Sequence, residues 1–244
     1  ISRAMNKPVY RRVLLKLSGE ALLGEAPSGI DGDMARSIGR EIGEIRGLGV
    51  QVALVVGGGN FLRGEALSHR GIGRVTGDMM GMLATVMNGL ALRDLFRGEG
   101  LSVRVQSAVV MPQVVEAFNS EAARRYLEDG EVVIFAGGTG NPFFSTDTAA
   151  ALRALETRAD VFLKATKVDG VFDKDPVKHA DARRFERISY DEVLEKNLRV
   201  MDQTAVALCR DNALPVVVFN MERAGNIRRV VCGEPTGTLI GGKP

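Results

Sequence analysis

Cysteine and histidine are scarce in this chain of 244 residues, with two of each. Cys209 and Cys232 stand far apart and form no Cys-x-x-Cys pair, and His69 and His179 add no ligand spacing. Neither a disulfide framework nor a zinc site is expected, and no metal-ligating side chains are assigned. An excess of either charge is also lacking. Lys and Arg total 32 against 30 Asp and Glu, a formal +2, which is too balanced for a stable nucleic acid partner. No apolar run approaches the ~20 residues that span a bilayer, and the basic N-terminus has no signal-peptide core or cleavage site. The expectation is a cytoplasmic protein with no membrane partner. Low-complexity segments, long linkers and repeat arrays are absent too.

What is present, 45% hydrophobic and 25% charged residues, suits a chain that buries a full core as one domain or two closely joined lobes. The domain is expected over 7–242, after an N-terminal extension at 1–6 in which Ile1 to Ala4 precede the first methionine, Met5. Arg11 to Ser18 reads as an apolar strand carrying one cation, Lys16, near its end and followed by Gly19. A lysine in a buried strand costs free energy unless an anion meets it, or its stem reaches solvent, and both readings stand. Asp31 is placed to cap a helix whose core face is Met34, Ile38, Ile42, Ile45 and Leu48. Val50 to Val56 forms a second strand running into Gly57-Gly58-Gly59-Asn60, more glycine than a turn needs, which points to close approach of a ligand with Arg63 as its anion clamp. A Met- and Leu-rich helix over Thr76 to Arg97 is apolar on nearly every face, as in a helix buried in the protein or against another subunit.

Leu101 to Val110 predicts a strand and Pro112 to Leu127 a helix opened by its proline. Val132 to Ala136 is a short β-branched run, and Ser145 reads as the start of a capped helix. The loop between them, with Gly137, Gly138 and Gly140, suits a phosphate. Ala159 to Thr166 repeats the first pattern, with Lys164 toward its end, and leads into a turn-rich loop at Lys167 to Pro176. Helices at Ser189 to Asn197, Gln203 to Asn212 and Ile227 to Cys232, a strand at Leu214 to Asn220 and a last edge strand at Gly237 to Ile240 complete the chain. Strands alternating with helices imply an α/β fold with a mostly parallel central sheet, helices on both faces, and ligands beyond the carboxyl ends of the strands. Lys16, the two glycine loops and Lys164 all fall there.

Two familiar phosphate motifs are missing. No Gly-x-x-x-x-Gly-Lys-Ser/Thr sequence occurs, and Leu62 and Phe143 stand where each glycine cluster would complete Gly-x-Gly-x-x-Gly. Without a Ser-His-Asp or Cys-His set, two lysines, two glycine loops and several aspartates remain. Phosphoryl transfer asks for little else: cations that offset charge and loops that hold donor and acceptor in line.

Lys16-Leu-Ser-Gly-Glu20, Gly57-Gly-Gly-Asn60 with Arg63-Gly64, Gly77-Asp78 through Met82-Leu-Ala-Thr-Val-Met-Asn-Gly-Leu90, Gly138-Thr-Gly-Asn-Pro-Phe-Phe144 and Leu163-Lys-Ala-Thr-Lys-Val-Asp-Gly-Val171 together resemble the bacterial uridylate kinases of the amino acid kinase family. The resemblance runs from Lys7 to Ile240. It implies the three-layer α/β/α sandwich of that family, with an acceptor-binding lobe at about 7–160 and an ATP-binding lobe at about 161–242. It also implies transfer of the ATP γ-phosphoryl group to UMP with Mg2+. On this likeness Lys16 and Lys164 flank the transferred group, and Asp147 and Asp202 hold those lysines or the metal. Leu17, Ser18, Gly19 and Gly59 lie against ATP phosphates, Arg63 lies between the nucleotides, and Thr166, Phe172 and Asp175 line the adenosine pocket. Gly58, Asp78 and the loop of Thr139, Gly140, Asn141, Pro142, Phe143, Phe144, Ser145 and Thr146 grip UMP. For Asp147 and Asp202 a plain role as helix-start carboxylates stays open. The same likeness implies a homohexamer activated by GTP and inhibited by UTP. The candidate effector site is Arg93, Asp94, Arg97 and Arg104, although a solvated basic face explains these residues equally well. A kinase of the same fold acting on a carboxylate or carbamate, such as acetylglutamate, and a non-catalytic nucleotide-binding protein are the rival readings.

Overall fold

The computed structural model describes residues 7–62, 71–198 and 200–241. Nine strands form a single sheet in the order β4-β3-β5-β2-β1-β6-β8-β9-β7. They are β1 (Arg12–Leu17), β2 (Gln51–Val56), β3 (Val103–Ser107), β4 (Glu116–Ala117), β5 (Val132–Ala136), β6 (Val161–Thr166), β7 (Arg187–Ile188), β8 (Val216–Asn220) and β9 (Thr238–Ile240). All neighbouring pairs are parallel except β8 with β9. The central strands are apolar on both faces because helices cover both. Val13, Leu15 and Leu17 join one core cluster and Leu14 the other, so alternation along β1 assigns each side chain to a layer.

The first layer holds α1 (Gly32–Gly47), α2 (Arg74–Gly98) and α7 (Asn226–Val231), through residues such as Ile42, Phe96 and Val230. The second holds α3 (Ser120–Glu128), α4 (Thr146–Glu156), α5 (Tyr190–Glu195) and α6 (Gln203–Asp211), through Leu127, Ala150, Val193 and Val206. The result is a three-layer α/β/α sandwich. Asp31 caps α1 as its position foretells, its carboxylate accepting from the Asp33 and Met34 amides. The buried stripe is Ala35, Ile38, Ile42 and Ile45, however, while Met34 is exposed and Leu48 only half-buried.

Three other expectations need correction. Pro112 to Leu127 is not one helix: Glu116–Ala117 pairs with β3 as an edge strand, and α3 starts at Ser120, where the Asn119 side chain accepts from the Ala122 amide. A strong cap residue and the β-prone run before it outweigh the proline signal. The strand predicted from Leu101 to Val110 is shorter, since only Val103–Ser107 has a partner on β5. The last strand is not at the edge, because β7 pairs with its outer side.

Candidate functional site

The register of the sheet decides the centre of the site. β1 lies beside β6 with Lys16 opposite Lys164. Lys16 shares the face of Leu14, and Lys164 that of Phe162, so both ammonium groups point into the second layer, where α4 begins. Two like charges held at a strand spacing of about 5 Å repel by about 3 kcal/mol at an effective dielectric of ~20. Asp147, in the first turn of α4, answers that repulsion. Its Oδ1 lies 3.0 Å from Lys16 Nζ and its Oδ2 2.5 Å from Lys164 Nζ. Lys164 Nζ also donates to the Val200 carbonyl.

Lys16 is only 9% exposed and Asp147 8%, so the charges meet out of water. Burial pushes the Asp147 carboxyl upward, but the ammonium groups of Lys16 and Lys164 together bring it below the ordinary value of 3.8. For Lys164 burial dominates: together with repulsion from Lys16 it outweighs the attraction of Asp147 and lowers the ammonium below 10.5. One carboxylate thus bridges two cations near the strand ends. Both carboxylate oxygens of Asp147 are engaged, Oδ1 by Lys16 and Oδ2 by Lys164.

Asp202 takes the helix-start place that the sequence leaves open for it. Its carboxylate caps α6 through the Ala205 amide and accepts from the hydroxyls of Ser145 and Thr148. Among the described residues it forms no ion pair with either lysine, though its charge favours the protonated form of Lys164. It ties the start of α4 to the start of α6 and so positions Asp147. Ser145 in turn caps α4 by accepting from the Asp147 and Thr148 amides.

Gly19, Gly58 and Gly59 meet at the ends of β1 and β2. A Cβ on Gly58 would come within 2.8 Å of the Gly81 carbonyl of α2, and one on Gly19 within 2.6 Å of the Gly59 amide. Close packing of protein on protein therefore already demands glycine there. Gly59 is the exception, with only an ordinary contact to the Glu20 side chain, and is open to a ligand. Ser18 is held locally, its hydroxyl accepting from the Ala21 amide, and Leu17 is core. Arg63 lies outside the described residues.

Two cavities flank the lysines. One, of about 500 Å³, is lined by Thr166, Phe172, Asp175, Leu198 and Val200, and so gathers all three residues assigned to adenosine. The other, of about 170 Å³, is lined by Gly58, Gly59, Asp78, Thr139, Asn141, Phe144, Ser145 and Thr146. Val200 binds Lys164 and lines the first, while Thr146, next to Asp147, lines the second, which sets the charged cluster between them. Asp78 holds the acceptor loop by accepting from the Phe143 amide at 2.7 Å, is paired with Arg74, and Phe143 takes a positive φ of 72°. Gly140, also at positive φ, packs against Ala108, whereas Pro142 does not line the cavity.

The sequence reading missed Thr85 and Asn88 of α2 and the Asn60 amide. Thr85 Oγ1 accepts from the Gly137 amide at 2.7 Å, and Asn88 Nδ2 donates to the Gly57 carbonyl at 2.7 Å. Polar residues inside an otherwise apolar helix were the available signal. The effector candidates are dispersed in their bonding. Arg93 pairs with Asp94, Arg97 donates to the Val103 carbonyl, and Arg104 pairs with Glu131 while stacking over Tyr126.

Residues 11–220 match the amino acid kinase family. Among curated relatives, the uridylate kinase of Chromohalobacter salexigens is 56% identical over 96% of this chain and 92% of its own length. That of Legionella pneumophila (strain Corby) is 53% identical over 99% of this chain and 98% of its own. Among solved structures, the UMP kinase from Bacillus anthracis superimposes with a TM-score of 0.93 at 40% identity, covering 95% of this chain and 96% of that one.

Proposed function

Because the chain belongs to the amino acid kinase family, we propose that it transfers the γ-phosphoryl group of ATP to UMP, giving UDP and ADP in pyrimidine nucleotide biosynthesis. The observation that carries this reading is the Lys16–Asp147–Lys164 cluster between two cavities. ATP occupies the larger cavity, with adenosine against Thr166, Phe172 and Asp175 and its phosphates toward Leu17 to Gly19, Gly59 and Lys164. UMP occupies the smaller, gripped by Gly58, Asp78 and the 139–146 loop.

An anionic UMP phosphate oxygen attacks the γ-phosphorus as the bond to the β-phosphate oxygen breaks. No proton has to be removed, so catalysis reduces to alignment and charge. Lys16 and Lys164 stabilise the charge on the moving group and on the leaving oxygen. Asp147 keeps both ammonium groups in place, and Asp202 positions Asp147.

The carboxylates suit a Mg2+ that arrives with ATP rather than one held in a protein cage. Asp147 is engaged by two lysines, Asp202 is filled by Ser145, Thr148 and Ala205, and the described residues contain no group of three acidic, histidine or cysteine side chains able to hold a metal. Such an ion would offset charge on the ATP phosphates.

The lobes at about 7–160 and 161–242 follow as the acceptor and ATP sides. A homohexamer is part of the proposal, and Val75, Met79, Leu83 and Met87, which leave one face of α2 apolar and exposed, support a contact between subunits without fixing their number. Arg93, Asp94, Arg97 and Arg104 form the proposed site for GTP activation and UTP inhibition. A cytoplasmic location is proposed in keeping with the described residues, none of whose helices is long and apolar enough to cross a membrane. The test is ADP release from Mg-ATP with UMP, CMP, acetylglutamate or no acceptor. Turnover with UMP is expected, and activity confined to another acceptor, or none, would overturn the reading.

A further inference from the structure

The two glycine loops leave neighbouring strands. β2 pairs with β5 so that Val55 lies beside Phe135, and two residues further on the chains reach Gly57 and Gly137. Both of these first loop residues are bonded to the same helix. Thr85 Oγ1 donates to the Met82 carbonyl and accepts from the Gly137 amide, each at 2.7 Å. Asn88 Nδ2 donates to the Gly57 carbonyl at 2.7 Å and to Asn60 Oδ1 at 2.7 Å, and Asn88 Oδ1 accepts from Asn60 Nδ2 at 2.8 Å. Side chains three residues apart on a helix stand about 5–6 Å apart, close to the ~4.8 Å between strands. One face of α2 is thus matched to the two strand ends.

We infer that Thr85 and Asn88 are positioning residues that use α2 as a gauge to set the glycine loop at Gly57–Gly59 and the acceptor loop after Gly137 at the separation that in-line transfer needs. This rests on the activity proposed above. Thr85 is 2% exposed and Asn88 fully buried, on a helix whose other inward side chains include Met82, Val86, Leu92 and Phe96. Packing alone would be met by apolar residues, since a buried hydroxyl or carboxamide costs free energy unless it is bonded. Here the Thr85 hydroxyl donates within its own helix, to Met82, and the other bonds go to one residue at the head of each loop and to Asn60. Asn60 extends the brace by donating to the Gly29 carbonyl and accepting the Gly29 amide on its own carbonyl. The gauge acts on alignment, and a shift of about 1 Å in the partners costs about a hundredfold in rate.

The test uses Thr85→Val, which keeps the volume and removes the hydroxyl, Thr85→Ser, which restores it, and Asn88→Ala. Kinetics with Mg-ATP and UMP are read beside the thermal midpoint and hydrogen exchange at the Gly137 amide. In Thr85→Val, kcat is expected to fall about tenfold or more at a temperature well below its midpoint, with faster exchange at Gly137 and recovery of most of the rate in Thr85→Ser. Asn88→Ala is expected to lower kcat similarly, and it carries the test if Thr85→Val fails to fold. A lowered midpoint with wild-type kcat and KM in either variant overturns the inference and leaves a packing role. A wild-type protein inactive toward UMP would instead remove the activity reading on which it rests.

Discussion

The lysine floor and the acceptor loop face the same cleft but are built on opposite principles. Lys16 and Lys164 stand in the middle of the sheet at positions fixed by strand register, Lys16 buried and Lys164 partly buried against Asp147. The loop from Gly138 to Ser145 has few anchors, mainly the Asp78 carboxylate under the Phe143 amide and the Ser145 cap. Its internal bonds are local, such as Thr139 Oγ1 with the Asn141 amide, and Phe143 and Phe144 are 65% and 50% exposed. On the proposed activity, the charge that meets the phosphoryl group is built into the sheet, and the part that identifies the acceptor is carried on a loop.

The largest test of that contrast replaces the floor. Lys16→Ala and Lys164→Ala are each expected to lower kcat by about 10²–10³-fold, the scale seen when a preorganised transition-state charge partner is removed, while KM for UMP changes little. Steady-state kinetics with UMP varied at saturating Mg-ATP decide it. A large rise in KM with kcat intact would move the lysines from transfer to acceptor binding.

Next in size is Asp147→Asn. It leaves two buried cations without their anion, and breaking such a pair costs about 3–5 kcal/mol. Urea unfolding is expected to show a lowered midpoint at unchanged slope, the product of shift and slope matching that loss. A neutral result would mean that the lysines escape to solvent when released.

On the loop side the expected pattern reverses. Phe144→Ala and Asn141→Ala remove exposed groups that line the smaller cavity. Stability should stay within about 0.5 kcal/mol, while KM for UMP rises about tenfold, the size of one lost packing or hydrogen-bonding contact. A stability loss as large as that of Asp147→Asn would show that the loop is part of the frame.

The same contrast explains what could be read from the sequence. A lysine in an apolar strand followed by glycine is a local anomaly, and alternation along the strand predicts its face. Its pairing with a second lysine on a neighbouring strand is legible only as a repeated pattern. The Ser145 cap made legible that Asp147 enters the first turn of its helix, but not that it bridges the two lysines. Asp202 was half-legible: its cap role follows from Asp before Gln203-Thr204-Ala205, but its grip on Ser145 and Thr148 joins residues more than fifty positions apart. Glycine was ambiguous, since protein contact and ligand contact demand it equally, and only the neighbours of Gly58 and Gly59 separate the two. Thr85 and Asn88 were hidden because a buried polar residue announces a partner without saying which loop supplies it. The Pro112 helix failed where the Asn119 cap and a short edge pairing with β3 outweighed the proline signal.

The smallest expected effect concerns pH and separates stability from activity at the floor. Asp147 titrates below 3.8 in the folded chain, so its contribution to stability is complete above that value and is lost as the pH falls through the lowered one. Lys164 is also lowered, from 10.5, which has the opposite consequence for a cation. Its charged form is disfavoured by folding, so the cost is greatest at pH values below its folded pKa and vanishes as the pH rises to 10.5 and beyond. In that alkaline window, stability through Lys164 should increase while kcat/KM declines, because the ammonium that offsets phosphoryl charge is lost. Unfolding free energy and kcat/KM, measured on the same buffers from neutral to alkaline pH, should therefore diverge by a few-fold in rate as the lowered lysine titrates. In Lys164→Arg, whose guanidinium keeps its proton over the whole range, the divergence should disappear. If the alkaline decline in rate persists unchanged in that variant, a different group limits the reaction and the floor is not where the pH dependence arises.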